Sequence, residues 1–205
     1  MTTTTFPDTY LELEKDAQDL LFRSARTANA FTDEPVSDEQ LRAIHDLVKW
    51  GPTAMNMQPL RVVLVRTPDA RARLVEHMSG NNKPKTSIAP LTLILAADVD
   101  FHEELPRVAP HALGARDRLQ ADETGRERMA MFNALLQAAY LLVGIRAAGL
   151  AAGPMTGFDA AAVDAEFFPD GRHRSLVVVN VGHPALDAYR DRQPRLEYED
   201  VVTVV

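Results

Sequence analysis

Four short segments concentrate residue types that together bind a phosphate and an amide-rich ring. They are Ala25-Arg26-Thr27-Ala28-Asn29, Trp50 through Pro59, Gly80 through Lys85, and Gly153 through Asp159. Arg and Lys supply positive charge and forked donors for a phosphate. Asn and Gln side chains complement ring N–H and carbonyl groups, each offering both donor and acceptor. A glycine-containing turn, Gly153-Pro154-Met155-Thr156-Gly157, lets backbone approach a ligand closely.

Other chemistries lack their residues. No G-x-G-x-x-G follows a strand, no G-x-x-x-x-G-K-[ST] occurs, and there is no G-x-S-x-G elbow. The chain has no cysteine, which excludes a disulfide, a thiolate nucleophile or a thiolate metal site. Its six histidines, His45, His77, His102, His111, His173 and His183, show no H-x-x-x-H spacing, so no metal site is expected. His102-Glu103-Glu104 reads as a hydrated helix start.

The elements that must position these segments follow from local signals. Leu13, Ala17, Leu20 and Leu21 recur at helical spacing within Tyr10 to Arg26. Ser37 and Gln40 make an S-x-x-Q capping box for a helix with apolar Leu41, Ile44, Leu47 and Val48, stopped at Gly51-Pro52. A strand is predicted over Arg61 to Arg66, then a helix from Thr67-Pro68 to Met78, with Pro where a missing N–H costs nothing. Asn81 to Ala89 reads as a polar loop, and continuously apolar Leu91 to Ala97 as a buried strand. Prolines and Gly114 interrupt Asp98 to Asp122.

Arg126 to Ala148 predicts the longest helix, apolar nearly all round, hence buried within a core or across a subunit interface. Leu150 to Phe158 reads as a turn, Asp159 as the cap of a short helix ending at Phe168, Ser175 to Val181 as a strand, and Tyr198 to Val205 as a terminal strand. Helices outnumber strands in irregular order, which implies an α+β fold with a small mixed sheet flanked by helices.

With 205 residues, 46% of them hydrophobic, the chain suits one domain over residues 1–205, burying roughly 70% of its unfolded surface. The opening Thr run, within residues 1–9, is expected to be flexible. A formal charge of −7 argues against a nucleic-acid partner. The basic residues from Arg107 to Arg128 alternate with Asp117, Asp122, Glu123 and Glu127 and read as a solvated polar segment. No secretory signal is visible, and the longest uncharged stretch, Met129 to Ile145, falls short of a membrane span. A cytoplasmic protein with no membrane partner is the expectation.

Taken in order, A-R-T-x-N, K-W-G-P-T-x-x-N, Gly80-Asn81-Asn82 with Lys85, G-P-M-T-G-F-D and the closing Arg192-Gln193-Pro194-Arg195-Leu196 resemble the FMN-dependent nitroreductase family. The branch they look most like is that of the pyrimidine-degradation malonic semialdehyde reductase. The resemblance implies an intertwined homodimer with nitroreductase-like fold and FMN sites at the subunit interface. It implies that Arg26, Arg195 and Arg192 contact the FMN phosphate, with Thr27 and Asn29 beside them. Asn82 and Lys85 match residues at the pyrimidine edge of the flavin, where a cation stabilises charge gained on reduction. Pro52, Thr53, Ala54 and Asn56 match a segment that reaches the flavin of the other subunit. Pro154, Thr156 and Gly157 match a turn whose backbone N–H faces flavin N5; many relatives have Glu at the position of Thr156.

The implied activity is ping-pong hydride transfer from NADPH or NADH through the flavin to a small substrate. For the semialdehyde branch that is malonic semialdehyde reduced to 3-hydroxypropionate, with His111 and Arg116 resembling a P-H…A-R stretch that would grip the carboxylate. A broad nitroaromatic or quinone reductase and a non-catalytic flavin-binding protein are the alternatives.

Overall fold

A computed structural model describes residues 10–205; the flexible N-terminus expected for residues 1–9 lies outside the described residues. At its centre is β2, Leu91–Asp98, with all eight residues buried. It pairs antiparallel with β1, Leu60–Val65, on one side and with β4, His173–Gly182, on the other. The strand β3, Ala151–Met155, pairs antiparallel with β4 and completes the order β1-β2-β4-β3. Within one chain the sheet is therefore antiparallel throughout, where a mixed sheet was expected.

Period-two alternation sends β2 side chains to two cores. Leu91, Leu93 and Leu95 meet Ile44 of α2, Asp38–Val48, and Ala138 and Ile145 of α7, Glu123–Ala147. Ile94 and Ala96 meet Leu74 of α3, Pro68–His77, and Val163 of α8, Ala160–Phe167. The result is helix, sheet, helix.

Local signals placed several elements correctly. Ser37 Oγ accepts from the Gln40 N–H at 3.1 Å and Gln40 Oε1 accepts from the Ser37 N–H at 2.9 Å, so the predicted box starts α2. Thr67 caps α3 and Asp159 caps α8 through their side chains.

Elsewhere tertiary partners decide. The segment expected as a polar loop forms α4, Asn82–Ile88, because Pro84 falls in the first turn, where no N–H is needed. Gly153 and Pro154, expected in a turn, lie in β3; it is an edge strand, where a proline is tolerated. The N-terminal helix is shorter than expected: α1 spans Lys15–Gln18 and one π-helical turn, Asp19–Arg23, follows. Leu13, Leu20 and Phe22 stay exposed. The terminal strand is absent too. Tyr198–Val201 forms the one-turn α9 and Val204 and Val205 are exposed, for this segment has no strand beside it.

The region 98–122 contains a 3₁₀ turn, Phe101–Glu104, then α5, Leu105–Val108, and α6, Ala115–Ala121. His102 is not hydrated but buried, its Nε2 2.7 Å from Gln120 Oε1. Arg126 is likewise buried rather than solvated, donating to the Val99 and Leu119 carbonyls. On α7, Ala130, Ala134 and Ala138 face the core, while Phe132, Leu135, Leu136 and Tyr140 are exposed. Only part of that apolar circumference is buried by its own chain.

Candidate functional site

The chain from Thr27 to Asn29 runs along β3: the Ala28 N–H donates to the Ala152 carbonyl at 3.0 Å and the Asn29 N–H to the Ala188 carbonyl at 2.8 Å. Contact is so close that a Cβ on Gly153 would lie 2.5 Å from the Ala28 oxygen, so glycine is required there. After β3, Phe158 bridges Met78, which brings the start of α4 against the Thr156-Gly157 turn. These three segments enclose a cavity of about 260 Å³ with Thr27, Asn29, Asn82, Lys85, Pro154, Thr156 and Gly157 in its wall. Seven predicted residues, spread over 131 positions of sequence, meet here.

Gly157 is held from behind. Its carbonyl accepts from the Ser79 N–H at 2.9 Å and from Asn82 Nδ2 at 3.0 Å. Its own N–H has no partner among the described residues, so a ligand can take it. A Cβ at Gly157 would sit 2.7 Å from Asn82 Nδ2. Asn82 therefore uses its Nδ2 on this carbonyl and keeps Oδ1 to accept from a ligand N–H.

Lys85 is the sole charged side chain lining the cavity and forms no ion pair among the described residues. On a chain of charge −7, a lone cation in a concave site sets the local field. Behind it lies a residue that sequence reasoning missed. Asn180 of β4 is buried in the cavity wall. Its Oδ1 accepts from Thr92 Oγ1 at 2.9 Å, and its Nδ2 lies 3.5 Å from Thr86 Oγ1, next to Lys85. The available signal was a polar break in the apolar run Val177-Val178-Val179-Asn180-Val181.

The predicted arginines lie outside this wall. Arg26 is exposed, donating to the Arg190 carbonyl at 3.2 Å with its guanidinium 5.2 Å from the Tyr189 ring centre. Arg192 donates to the Arg23 and Ala25 carbonyls, so these two arginines share one end of the molecule. Among the described residues Arg195 bonds only the nearby Gln193 and Pro194 carbonyls, and it does not line the cavity.

Pro52, Thr53, Ala54 and Asn56 form a separate exposed loop, tied by Asn56 Nδ2 to the Val108 carbonyl at 2.7 Å. His111 is exposed in the turn that follows. Arg116 is committed to Glu103, both carboxylate oxygens accepting from its Nη2 at 2.9 Å, and to Asp117. Neither His111 nor Arg116 lines the cavity.

The sequence and the fold match one class of protein. A nitroreductase family profile matches residues 22–183. Relatives from Streptomyces griseus and Streptomyces coelicolor are 59% and 60% identical over 195 residues, covering 95% of this chain and 99% of theirs. Both are provisionally named NADH dehydrogenase/NAD(P)H nitroreductase. A provisionally named nitroreductase from Exiguobacterium sibiricum, solved in complex with FMN, superimposes with a TM-score of 0.79 at 17% identity, over 95% of this chain and 99% of its own. The chain belongs to the nitroreductase family.

Proposed function

We propose that this protein is a homodimeric FMN oxidoreductase that takes hydride from NADH or NADPH and delivers it to a small electrophile. The observation that carries the reading is the cavity itself, where among the described residues Lys85 is the only charged one in the wall and the Gly157 N–H has no partner. Bound FMN would accept hydride from the nicotinamide and pass it to the substrate. Lys85 and the Gly157 N–H would bind the electron-rich ring, Asn82 Oδ1 would accept from a ring N–H, and Arg26 with Arg192 would hold the phosphate. The names of the Streptomyces relatives and the FMN in the Exiguobacterium structure support this assignment.

A cavity of about 260 Å³ is smaller than the ~300–1,000 Å³ of typical small-molecule sites, so the ring needs a second wall. The exposed Phe132, Leu135, Leu136 and Tyr140 on α7 offer the apolar surface for a second copy, which would bring Pro52, Thr53, Ala54 and Asn56 to the site. The edge strand β1 exposes Val62 and Leu64 beside a groove of about 830 Å³. The β-branched tail Val202-Thr203-Val204-Val205 of the second copy suits that edge, and such pairing would supply the missing terminal strand. A cytoplasmic location, where NADH and NADPH are available, goes with this reading.

Two substrate classes are open. Malonic semialdehyde brings a carboxylate, yet the arginine expected to grip it, Arg116, is already paired with Glu103. Both side chains are half exposed, so water screens the pair and a substrate carboxylate would compete with Glu103 at little cost; a nitroaromatic or quinone needs no such contact. The test is purification followed by anaerobic titration with NADH and NADPH; a colourless protein that cannot be reconstituted with FMN overturns the assignment. Comparing kcat/KM for malonic semialdehyde and for a nitroaromatic, in wild type and Arg116→Ala, then separates the classes.

A further inference from the structure

We propose that Asn133 and Gln137, two amides on α7, are positioning residues that hold the Pro52–Pro59 loop in a strained shape for cofactor binding. The proposal rests on the FMN reading above. Met55, Asn56 and Gln58 have φ of 50°, 52° and 43°, a left-handed conformation that non-glycine residues keep only where their surroundings impose it. No glycine lies between Pro52 and Pro59 to relieve it.

Besides the bonds from the Gln58 N–H to Thr53 Oγ1 and from Asn56 Nδ2 to the Val108 carbonyl, two anchors on α7 flank the strained residues. The Ala54 N–H donates to Asn133 Oδ1 at 2.8 Å, and the Leu60 N–H to Gln137 Oε1 at 2.9 Å. Asn133 is buried, and its own Nδ2 donates to the Met129 carbonyl at 2.9 Å, which fixes Oδ1 toward the loop. Between the anchors, the Met57 side chain is buried with Phe101, Leu105 and Ala134. The outer side of the loop is open at Pro52, Ala54 and Met55, and Asn56, though tied to the Val108 carbonyl through Nδ2, is exposed as well. A mere connection between α2 and β1 needs neither this strain nor two side chains to maintain it. Strain held by a rigid helix while the outer surface stays open is how a preorganised ligand contact is built.

The same helix carries Phe132 and Leu136, each one position before an anchor and each exposed. The helix that offers the surface for a second copy thus also sets the loop that copy's cofactor would meet.

Asn133→Ala, Gln137→Ala and Gln137→Glu are compared with wild type as dimers, reading FMN Kd by fluorescence quenching well below the melting temperature. Both alanine variants are expected to raise Kd about tenfold and to shift the bound flavin absorption band, with dimer mass unchanged. Gln137→Glu keeps an oxygen to accept from the Leu60 N–H and is expected to bind FMN more tightly than Gln137→Ala. Wild-type Kd and spectrum in the alanine variants overturn the proposal, as does Gln137→Glu binding no better than Gln137→Ala. Should Asn133→Ala not fold, half-buried Gln137→Ala decides alone. If wild type takes up no FMN, the functional reading falls and this inference with it; if wild type binds and the variants match it, only this inference falls.

Discussion

Asn82 and Gly157 are bound to each other in the cavity wall: Asn82 Nδ2 donates to the Gly157 carbonyl at 3.0 Å, and a Cβ on Gly157 would lie 2.7 Å from that nitrogen. Gly157→Ala should therefore push Asn82 aside and turn the 157 amide. FMN affinity is expected to fall about tenfold, or ~1.4 kcal/mol, with the melting temperature nearly unchanged. Fluorescence titration checks it, and wild-type affinity in the variant would refute the coupling.

Lys85→Met removes the only charge in the cavity wall while keeping most of the side-chain length. A charge-assisted contact is worth about 1.5–3 kcal/mol, so reduction of the bound flavin by NADH should slow by about tenfold or more. The flavin midpoint potential should fall in parallel. Stopped-flow bleaching at saturating NADH measures the first, and a dye-equilibrated redox titration the second.

Asp98 tests the stability of the sheet. Its carboxylate is buried, yet it receives Arg172 at 2.7 and 2.8 Å and Arg61 at 2.7 Å. Burial alone would raise its pKa; Arg172, Arg61 and the Asp100 N–H outweigh burial and hold it below the ordinary 3.8. A carboxylate with depressed folded pKa contributes stability above its unfolded value, which is lost as pH falls through the folded one. Arg172→Ala should thus cost about 1–3 kcal/mol at neutral pH, with the difference from wild type shrinking below about pH 4. Urea midpoints at the two pH values supply the check, and a pH-independent difference counts against it.

Leu136→Asp places a charge on the exposed apolar face of α7. Burying an unpaired carboxylate in an interface costs several kcal/mol, so the protein should become monomeric and lose FMN together. Light scattering with a flavin absorbance trace reads both at once. A monomer that keeps its FMN would separate the site from the second copy.

What could be read from sequence was what local bonds decide. The box of Ser37 and Gln40 and the caps at Thr67 and Asp159 act within four residues, and β2 announces itself by unbroken apolarity. The elements that differed depend on distant or absent neighbours. Gly153-Pro154 is a strand only because β4 lies beside it, and the tail has no strand beside it in its own chain. For the site, seven cavity residues followed from motif resemblance. Asn180 did not, because its importance comes from Thr92 and Thr86, about 90 positions away. Arg116 was proposed from its resemblance to a P-H…A-R stretch, and no local pattern reveals its pairing with Glu103, 13 residues earlier.

The Ala28–Ala152 hydrogen bond joins the first cavity segment to one 124 residues later, and Gly153 in turn pairs with Asn180. Contacts of such sequence separation form late, since loop closure must precede any gain from them. A nascent chain would therefore hold no half-built pocket until β4 has been synthesised and docked. Ligand would act as a lock on the finished chain rather than a template for it, slowing unfolding while leaving the folding rate unchanged.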